Sequence, residues 1–278
     1  MAKTEPRPLK QAGPEVFSRI KAVFFDIDDT FSGNGHRDEP RILPEAYDAL
    51  WRLKNAGFKV VPVTGRPAGW CDMIARMWPV TGVVGENGAF YAYMDSTKSP
   101  PRLSKKYLES KAVRDANARK LKTLHKAVSR KFSGAKTASD QLFREFDLAF
   151  DYCEDVKRWP EKKVQNLIEF CRSRGAQAKL SSIHVNTWFG KYDKWTCVQR
   201  VLTDYFHTEI HDQNSNVVYI GDSPNDEPFF KRLPLTIGVA NVREFLSRME
   251  FAPAYITEAG GGLGFAEFTK RLLNTKEG

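Results

Sequence analysis

Two acidic clusters contain the residues best suited to chemistry. Asp26 and Asp28 lie in the motif DIDDT (26–30), directly after the apolar run KAVFF (21–25). If strand geometry continues into the motif, both side chains point the same way, because side chains alternate along a strand. Two such carboxylates can share the work of phosphoryl transfer, one attacking phosphorus and the other moving protons. The alternative is an acidic strand end that only begins a turn, since Asp is common in turns.

The second cluster is GDSPND (221–226), which follows another apolar run. If the strand ends meet at one edge of a sheet, its carboxylates join Asp26 and Asp28 there. Carboxylates crowded together raise one another's pKa unless a cation neutralises them. Mg²⁺ prefers oxygen ligands of this kind. The two clusters together therefore predict a magnesium site, with Asp222 among its candidate ligands.

Two single residues could bind a phosphoryl group beside these carboxylates. Thr64 follows the apolar run KVVPV (59–63) and offers a hydroxyl group, while Gly65 allows close approach of the backbone. Lys194 precedes the GDSPND motif and supplies a positive charge. A lone Thr or Lys is more often structural, so it is their positions along the chain that favour a role in the site.

The elements that must position these residues alternate between short apolar runs and amphipathic helical patterns. This β-α-β rhythm predicts an α/β fold with a doubly wound parallel-sheet (Rossmann-like) core. The rhythm changes after about Tyr91 and resumes near Trp195. We therefore expect a flexible tail over 1–18, a core formed by 19–90 and 189–278, and an inserted α/β domain over 91–188.

The motifs and their order resemble those of the haloacid dehalogenase-like hydrolase superfamily. The four signatures are DIDDT, VTGR (63–66), Lys194 and GDSPND. An insertion between the second and third signatures is similar to the branch with a large mobile cap, which includes mannosyl-3-phosphoglycerate and sucrose-phosphate phosphatases. The GDSPND motif and ENGA (86–89) look most like that group.

The resemblance implies a role for each matching position. It implies Asp26 as nucleophile and Asp28 as general acid and base. It implies Mg²⁺ as cofactor, held by the side chain of Asp26, the backbone carbonyl of Asp28 and Asp222, with Asn225 and Asp226 supporting the metal shell. The residues expected to contact the substrate are Thr64, Gly65, Arg66, Asn87 and Lys194. Lys191 is a rival for the lysine, although the helical pattern begins immediately after Lys194.

The implied activity is Mg²⁺-dependent hydrolysis of a phosphomonoester through an aspartyl-phosphate intermediate. The expected substrate is a small phosphorylated metabolite, a sugar phosphate or a phosphorylated acid. A phosphotransferase or mutase and a polyanion-binding protein are the alternatives. In this branch the cap selects the leaving group, and the candidates for that task are Arg144, His184, Asn186 and Trp188. Strand packing is the competing interpretation of His184 and Trp188.

Charge and composition limit the partners. The net charge is +9, yet the segment 101–136 alone holds twelve Lys or Arg against two acidic residues. The basicity therefore belongs to one segment, which disfavours nucleic acid as a partner; a solvated helix face is the commoner explanation of such a run. No apolar run is long enough to span a bilayer, and the four scattered cysteines favour reduced thiols. We expect a cytoplasmic monomer or homodimer.

Overall fold

The computed structural model describes residues 5–33, 41–181, 183–204, 206 and 216–275. Its strands are β1 (Arg7–Pro8), β2 (Ala22–Phe25), β3 (Lys59–Pro62), β4 (Val83–Gly85), β5 (Phe90–Asp95), β6 (Arg102–Tyr107), β7 (Lys136–Thr137), β8 (Asp147–Asp151), β9 (Gln177–Leu180), β10 (His184–Trp188), β11 (Val217–Gly221), β12 (Thr236–Gly238) and β13 (Tyr255–Ile256). Its α-helices are α1 (Pro44–Asn55), α2 (Ala68–Met77), α3 (Lys111–Lys131), α4 (Glu161–Ser173), α5 (Lys194–Asp204), α6 (Glu227–Phe230) and α7 (Gly261–Asn274). None of these described helices is both long enough and apolar enough to cross a membrane.

The core is a six-stranded parallel sheet in the order β1-β13-β12-β11-β2-β3. Strand β2 is buried on both faces, as expected of a strand inside a parallel sheet. Its Val23 and Phe25 pack with residues of α1 and α7, whereas Phe24 packs on the opposite face with residues of α5. Helices therefore cover both faces of the sheet, and the predicted doubly wound α/β core is confirmed.

The cap contains a separate antiparallel sheet in the order β7-β8-β10-β9. Helix α3 buries only a stripe that includes Leu121, Leu124 and Val128, and its basic residues stay at the surface. This stripe joins residues of α4 and of the cap sheet in one hydrophobic core. Burial of that stripe is what ties the basic helix to the cap sheet.

Strand β6, and β5 apart from its first residue Phe90, lie within the range predicted for the cap, 91–188, but β5 pairs with β4 and β6 pairs with β5. Strand β4 is connected to the core sheet by a parallel bridge between Val63 and Val84. We therefore propose that the cap begins after β6 and ends with β10. The other limits of the core, its start at 19 and its second part over 189–278, stay predictions.

The expected flexible tail over 1–18 is wrong for the residues from Arg7 onward. Strand β1 pairs with β13, and Arg7 Nη2 donates a hydrogen bond of 2.5 Å to Tyr255 Oη. Leu9 and Phe17 are fully buried in the hydrophobic core beneath α7. The prolines and charges of this segment suggested a tail, but its few apolar residues anchor it. Residues 1–4 lie outside the described residues.

Candidate active site

The predicted motifs meet at the carboxyl edge of the core sheet. Asp26 follows β2, Asp222 follows β11, and Thr64 lies two residues after β3. These three strands are neighbours and run parallel, with β2 in the middle. In open α/β sheets this edge is where ligands gather. The spacing of the motifs along the chain therefore becomes proximity in space.

Three buried carboxylates form the centre of the site. Asp26, Asp222 and Asp226 each place one oxygen atom so that all three atoms lie within 4.8 Å of one another. Each of these residues is at most 4% exposed. Three anions confined to such a small volume repel one another strongly unless cations lie among them.

Lys194 supplies one of those cations. Its Nζ lies 3.1 Å from Asp26 Oδ2 and 2.9 Å from Asp226 Oδ1. Burial alone would lower the pKa of Lys194, but the charges of Asp226 and Asp26 outweigh it and raise the pKa. Its position at the first residue of α5 directs the side chain into the site. The rival residue Lys191 is exposed and has its backbone N–H directed at Glu109.

Asp226 is held by donors on both of its oxygens. Oδ1 accepts hydrogen bonds from Lys194 Nζ and, at 2.5 Å, from Tyr219 Oη. Oδ2 accepts from the backbone N–H groups of Asp222 and Ser223, at 3.1 and 3.3 Å. With its oxygens saturated in this way, Asp226 fixes the loop and the lysine as well as contributing negative charge.

Asp222 has a weaker set of donors. Its Oδ1 accepts a hydrogen bond of 3.0 Å from Thr30 Oγ1, and its Oδ2 lies 3.4 Å from Asn241 Nδ2. Burial raises the pKa of Asp222 well above its ordinary value, and the neighbouring charge of Asp29 adds to the effect. Asn241 also donates to the backbone carbonyl of Asp29 at 2.9 Å, which connects the two acidic motifs.

Asp26 also retains protons unusually well. Burial raises its pKa to about 8, and although the Lys194 charge opposes this, the charges of Asp226 and Asp28 add to it. One lysine therefore does not balance the carboxylates around it. A divalent ion with oxygen ligands would complete the balance, and the cluster of three carboxylates fits such an ion.

Asp28 is bound to Arg66, which was predicted as a substrate contact. Arg66 Nε lies 2.9 and 3.1 Å from the two carboxylate oxygens of Asp28, and its Nη2 lies 2.8 Å from Oδ1. The same guanidinium reaches two carboxylates of the cap, Asp140 at 3.3 Å and Glu154 at 2.9 Å. Arg66 therefore connects the core motif to the cap, because its guanidinium group pairs with carboxylates of both.

The remaining predicted core residues surround this group. Thr64 is buried, and its Oγ1 accepts a hydrogen bond of 2.9 Å from the backbone N–H of Arg66. A Cβ atom added at Gly65 would lie 3.1 Å from Asn186 Nδ2 and 3.2 Å from the Asn87 amide, so glycine permits this close approach. Asn87 is turned towards Asp147 at 3.4 Å and does not line the pocket. Asn225 does line it, and its Oδ1 accepts from Ser223 Oγ.

Residues of the core and of the cap together enclose the site. The pocket is lined by Asp26, Asp28, Gly65, Arg66 and Asn225 from the core and by Arg144, Ser181, Ile183, His184 and Asn186 from the cap. The free space measures about 10 Å³, which is room for about one water molecule. The structure is therefore a closed form, and a substrate can enter only if the cap moves.

Three of the four cap candidates lie at this pocket. Arg144 Nη1 donates to the carbonyl of Gly65 at 2.8 Å and pairs with Asp147 at 2.9 Å. His184 Nε2 lies 2.8 Å from Glu154 Oε2. Burial would raise the pKa of Glu154, but His184 and Arg66 outweigh it and lower the pKa to about 2.

A polar atom of the Asn186 side chain is buried and unsatisfied. The residue is 2% exposed, and its Oδ1 has no hydrogen-bond partner among the described residues. A buried acceptor without a donor is costly, which makes this atom a candidate for a ligand contact. The fourth candidate, Trp188, is instead buried in a hydrophobic cluster and donates to the backbone of Tyr192. Trp188 therefore packs the end of β10 into that hydrophobic cluster.

Sequence reasoning missed Glu86, which joins the core to the cap. Its carboxylate is fully buried and accepts hydrogen bonds from the backbone N–H groups of Glu145, Phe146 and Asp147, at 2.6 to 3.1 Å. Burial raises the pKa of Glu86 to about 8, and the charge of Asp147 adds to the effect. The positive φ of Glu86, 44°, is a signal that only the structure reveals.

A family model and a curated protein both match this chain. Residues 23–123 match the family model described as haloacid dehalogenase-like hydrolase. A curated relative, a phosphoglycolate phosphatase of Methanobrevibacter smithii, is 24% identical over 262 residues, covering 91% of this chain and 99% of the relative.

Solved structures share the fold over nearly the whole chain. A protein of Thermoplasma acidophilum has a TM-score of 0.67 at 19% identity, covering 91% of this chain and 98% of its own. The sucrose-phosphatase of Synechocystis gives 0.62 at 15% identity, with coverage of 91% and 98%. The C-terminal domain of trehalose-6-phosphate phosphatase from C. albicans gives 0.67 at 11% identity, with 99% of each chain covered. The match over residues 23–123 and the shared fold make this chain similar to the haloacid dehalogenase-like hydrolases, and its four signatures meet at one sheet edge.

Proposed function

We propose that the chain is a Mg²⁺-dependent phosphomonoester hydrolase that forms an aspartyl-phosphate on Asp26. The observation that carries the proposal is the buried cluster of Asp26, Asp222 and Asp226, with Lys194 bound between two of its members. The related phosphatases of known name support this reaction class.

The first half-reaction transfers the phosphoryl group to the enzyme. A carboxylate oxygen of Asp26 attacks phosphorus, an acyl-phosphate bond forms, and the bond from phosphorus to the ester oxygen breaks. Asp28 gives a proton to that oxygen, and the alcohol leaves. Lys194 and the Thr64 hydroxyl would stabilise the phosphoryl oxygens. The guanidinium of Arg66 must first release Asp28, since it now occupies both carboxylate oxygens.

The second half-reaction returns the enzyme to its starting state. Asp28, now ionised, takes a proton from a water molecule, and the resulting oxygen nucleophile attacks phosphorus. The acyl-phosphate bond breaks, inorganic phosphate leaves, and the Asp26 carboxylate is restored. Mg²⁺, held by the side chains of Asp26 and Asp222 and by the backbone carbonyl of Asp28, would neutralise charge so that an anionic carboxylate can approach a phosphate.

The pocket favours a sugar phosphate over a phosphorylated acid. The cations at the pocket are already matched by carboxylates of the cap: Arg66 keeps Asp140 and Glu154 after it releases Asp28, and Arg144 pairs with Asp140 and Asp147. Asn186 Oδ1 is an unsatisfied acceptor in this lining and so suits a hydroxyl group, whereas His184 Nε2 faces Glu154 at 2.8 Å. A leaving group with a carboxylate, such as that of the phosphoglycolate phosphatase substrate, would find no free cation in the described cap lining.

Phosphate release tests the proposal directly. The purified chain is incubated with sugar phosphates, nucleotides and acid phosphates, in Mg²⁺ and in EDTA. We expect Mg²⁺-dependent release that is strongest for sugar phosphates and is abolished in Asp26→Asn. Turnover at the wild-type rate in Asp26→Asn would overturn the mechanism, whereas transfer to an added alcohol without net phosphate release would favour the phosphotransferase alternative.

A further inference from the structure

A large cavity lies on the cap, away from the catalytic residues. It measures about 650 Å³, a size typical of sites for small organic ligands. It is lined by Ala116, Arg119, Lys120, Thr123, Leu124, Arg174, Gly175 and Phe189. One wall is a face of α3, another is the turn after α4, and the third is Phe189, the first residue after β10. None of these residues belongs to the catalytic cluster.

The cavity is strongly cationic. Arg119, Lys120 and Arg174 line it, and no carboxylate does so among the described residues. Within the described part of the chain, none of the three cations forms an ion pair, and the nearby Asp115 on α3 is paired with Lys111 at 2.7 Å. This differs from the catalytic site, where carboxylates match Arg66, Arg144 and Lys194. Unmatched cations around a concave surface attract anions.

The floor of the cavity is apolar. Leu124 and Phe189 form it, and Lys120 Nζ lies 5.5 Å from the centre of the Phe189 ring. A flat ligand group can pack on such a surface while its charges reach the surrounding guanidinium groups. The matching chemical class is an organic polyphosphate with a flat ring, of the nucleoside triphosphate type.

The cavity also touches the connections between cap and core. The carbonyl of Phe189 accepts a hydrogen bond of 2.8 Å from Asn117 Nδ2 on α3. The next residue, Gly190, has a φ of +135°, which residues with side chains rarely adopt. Four residues further on lies Lys194. A ligand held against Phe189 is therefore adjacent to the segment that must adjust when the cap moves.

We propose that this cavity is a second ligand site, which binds a nucleoside polyphosphate and thereby alters the opening of the cap. The ligand contacts Arg119 and Arg174 through its phosphates and Phe189 through its ring. Because it stabilises the cap connection in the closed arrangement seen here, it raises the KM of the enzyme for its substrate.

Titration calorimetry with ATP on the full chain tests the binding. The titration is done in EDTA at low salt, where the metal-free acidic site repels polyphosphate. Saturable binding with one ATP per chain is expected, weakened at least tenfold in the double variant Arg119→Ser/Arg174→Ser. The double variant Lys122→Ser/Lys126→Ser is the matched control, since it removes two charges from exposed positions of α3 outside the cavity. Absence of saturable binding, equal weakening in the control variant, or equal affinity for inorganic triphosphate would overturn the site.

Kinetics test the regulatory part. With p-nitrophenyl phosphate and saturating Mg²⁺, ATP is expected to raise the KM of the wild-type chain at least threefold and to leave the KM of the double variant unchanged. A rise that persists in the double variant reports competition at the catalytic site and overturns the regulatory role. Binding without a change in KM overturns it as well.

Discussion

Lys194 lies between two carboxylates and is buried within the site. Replacing it by Met removes the cation that faces Asp26 and, in the proposed mechanism, the phosphoryl group; it also leaves Asp26 and Asp226 without their shared partner. We expect kcat to fall by about 100-fold or more, the size typical for loss of one preorganised group that stabilises developing charge. The measurement is steady-state phosphate release in saturating Mg²⁺.

Lys191→Met is the natural control for that variant. The residue is three positions away but exposed, so its removal is expected to leave kcat within about twofold of wild type. If the two variants lost activity equally, the assignment of Lys194 as the active-site cation would be wrong.

Asn186 allows a second prediction at the level of one side chain. Asn186→Ala removes the buried acceptor that we assign to a substrate hydroxyl. A neutral hydrogen bond contributes about 0.5–1.5 kcal/mol, so KM for a sugar phosphate is expected to rise by up to about tenfold. The KM for p-nitrophenyl phosphate, which has no sugar hydroxyl, should stay unchanged. An equal rise for both substrates would indicate a disturbed site rather than a lost contact.

Local spacing explains which residues of the site could be predicted from the sequence. Asp26 and Asp222 each follow an apolar run directly, and parallel strands end at the same sheet edge, so their meeting could be foreseen. Asn241 and Tyr219 could not, because no local motif marks them: Tyr219 lies inside the apolar strand β11, and Asn241 lies 19 residues after its partner Asp222. Glu86 lay inside a quoted motif, yet its hydrogen-bond donors lie 18 residues earlier, at Ala68, and from 59 residues later, at Glu145.

At the level of elements, Glu86 connects the end of β4 to the start of β8. In the fold its pKa is raised from an ordinary value of 4.5 to about 8, so the folded state binds this proton more tightly than the unfolded state does. The contribution of Glu86 to stability is therefore greatest below pH 4.5 and is lost as pH rises towards about 8.

In the variant Glu86→Gln, the side chain at position 86 cannot ionise. Comparison of this variant with wild type therefore isolates the pH-dependent contribution of the Glu86 carboxyl group. The quantity compared is the free energy of unfolding of wild type minus that of Glu86→Gln. We expect this difference to fall by more than ~1 kcal/mol between pH 5 and pH 8. Urea denaturation at a series of pH values measures the difference. A difference that stays constant or increases over this range would contradict a protonated Glu86 in the fold.

The sequence predicted individual strands more accurately than it predicted which sheet each strand joins. The hydrophobic runs predicted β2, β3 and β11 because buried parallel strands are apolar on both faces. The assignment of β5 and β6 to the cap was not supported by their pairing, since an antiparallel hairpin has the same local pattern whichever sheet it extends. Which sheet a hairpin extends depends on contacts distant in sequence.

For the whole molecule, metal and pH are expected to act together. Without metal, the pKa of Asp26 is about 8, against 3.8 for a free side chain, so the metal-free fold loses stability as pH rises from about 4 to 8. In the proposed site, Mg²⁺ would bind the ionised carboxylates and compete with protons. The rise in Tm on adding Mg²⁺ should therefore be larger at pH 8 than at pH 5.5.

Thermal melts in EDTA and in excess Mg²⁺ at the two pH values give this comparison. Asp222→Asn serves as the control, because removing one carboxylate of the cluster should abolish most of the Mg²⁺-dependent rise. A rise that is independent of pH, or that survives in Asp222→Asn, would place the metal elsewhere.

The pairing of β1 with β13 also bears on how the chain acquires its structure during synthesis. The two paired segments, Arg7–Pro8 and Tyr255–Ile256, are separated by almost the whole length of the sequence. The cap sheet, in contrast, pairs strands that all lie between 136 and 188. During synthesis on the ribosome, the cap can therefore fold while β11 to β13 are still untranslated. Strand β1 cannot pair until β13 has been synthesised.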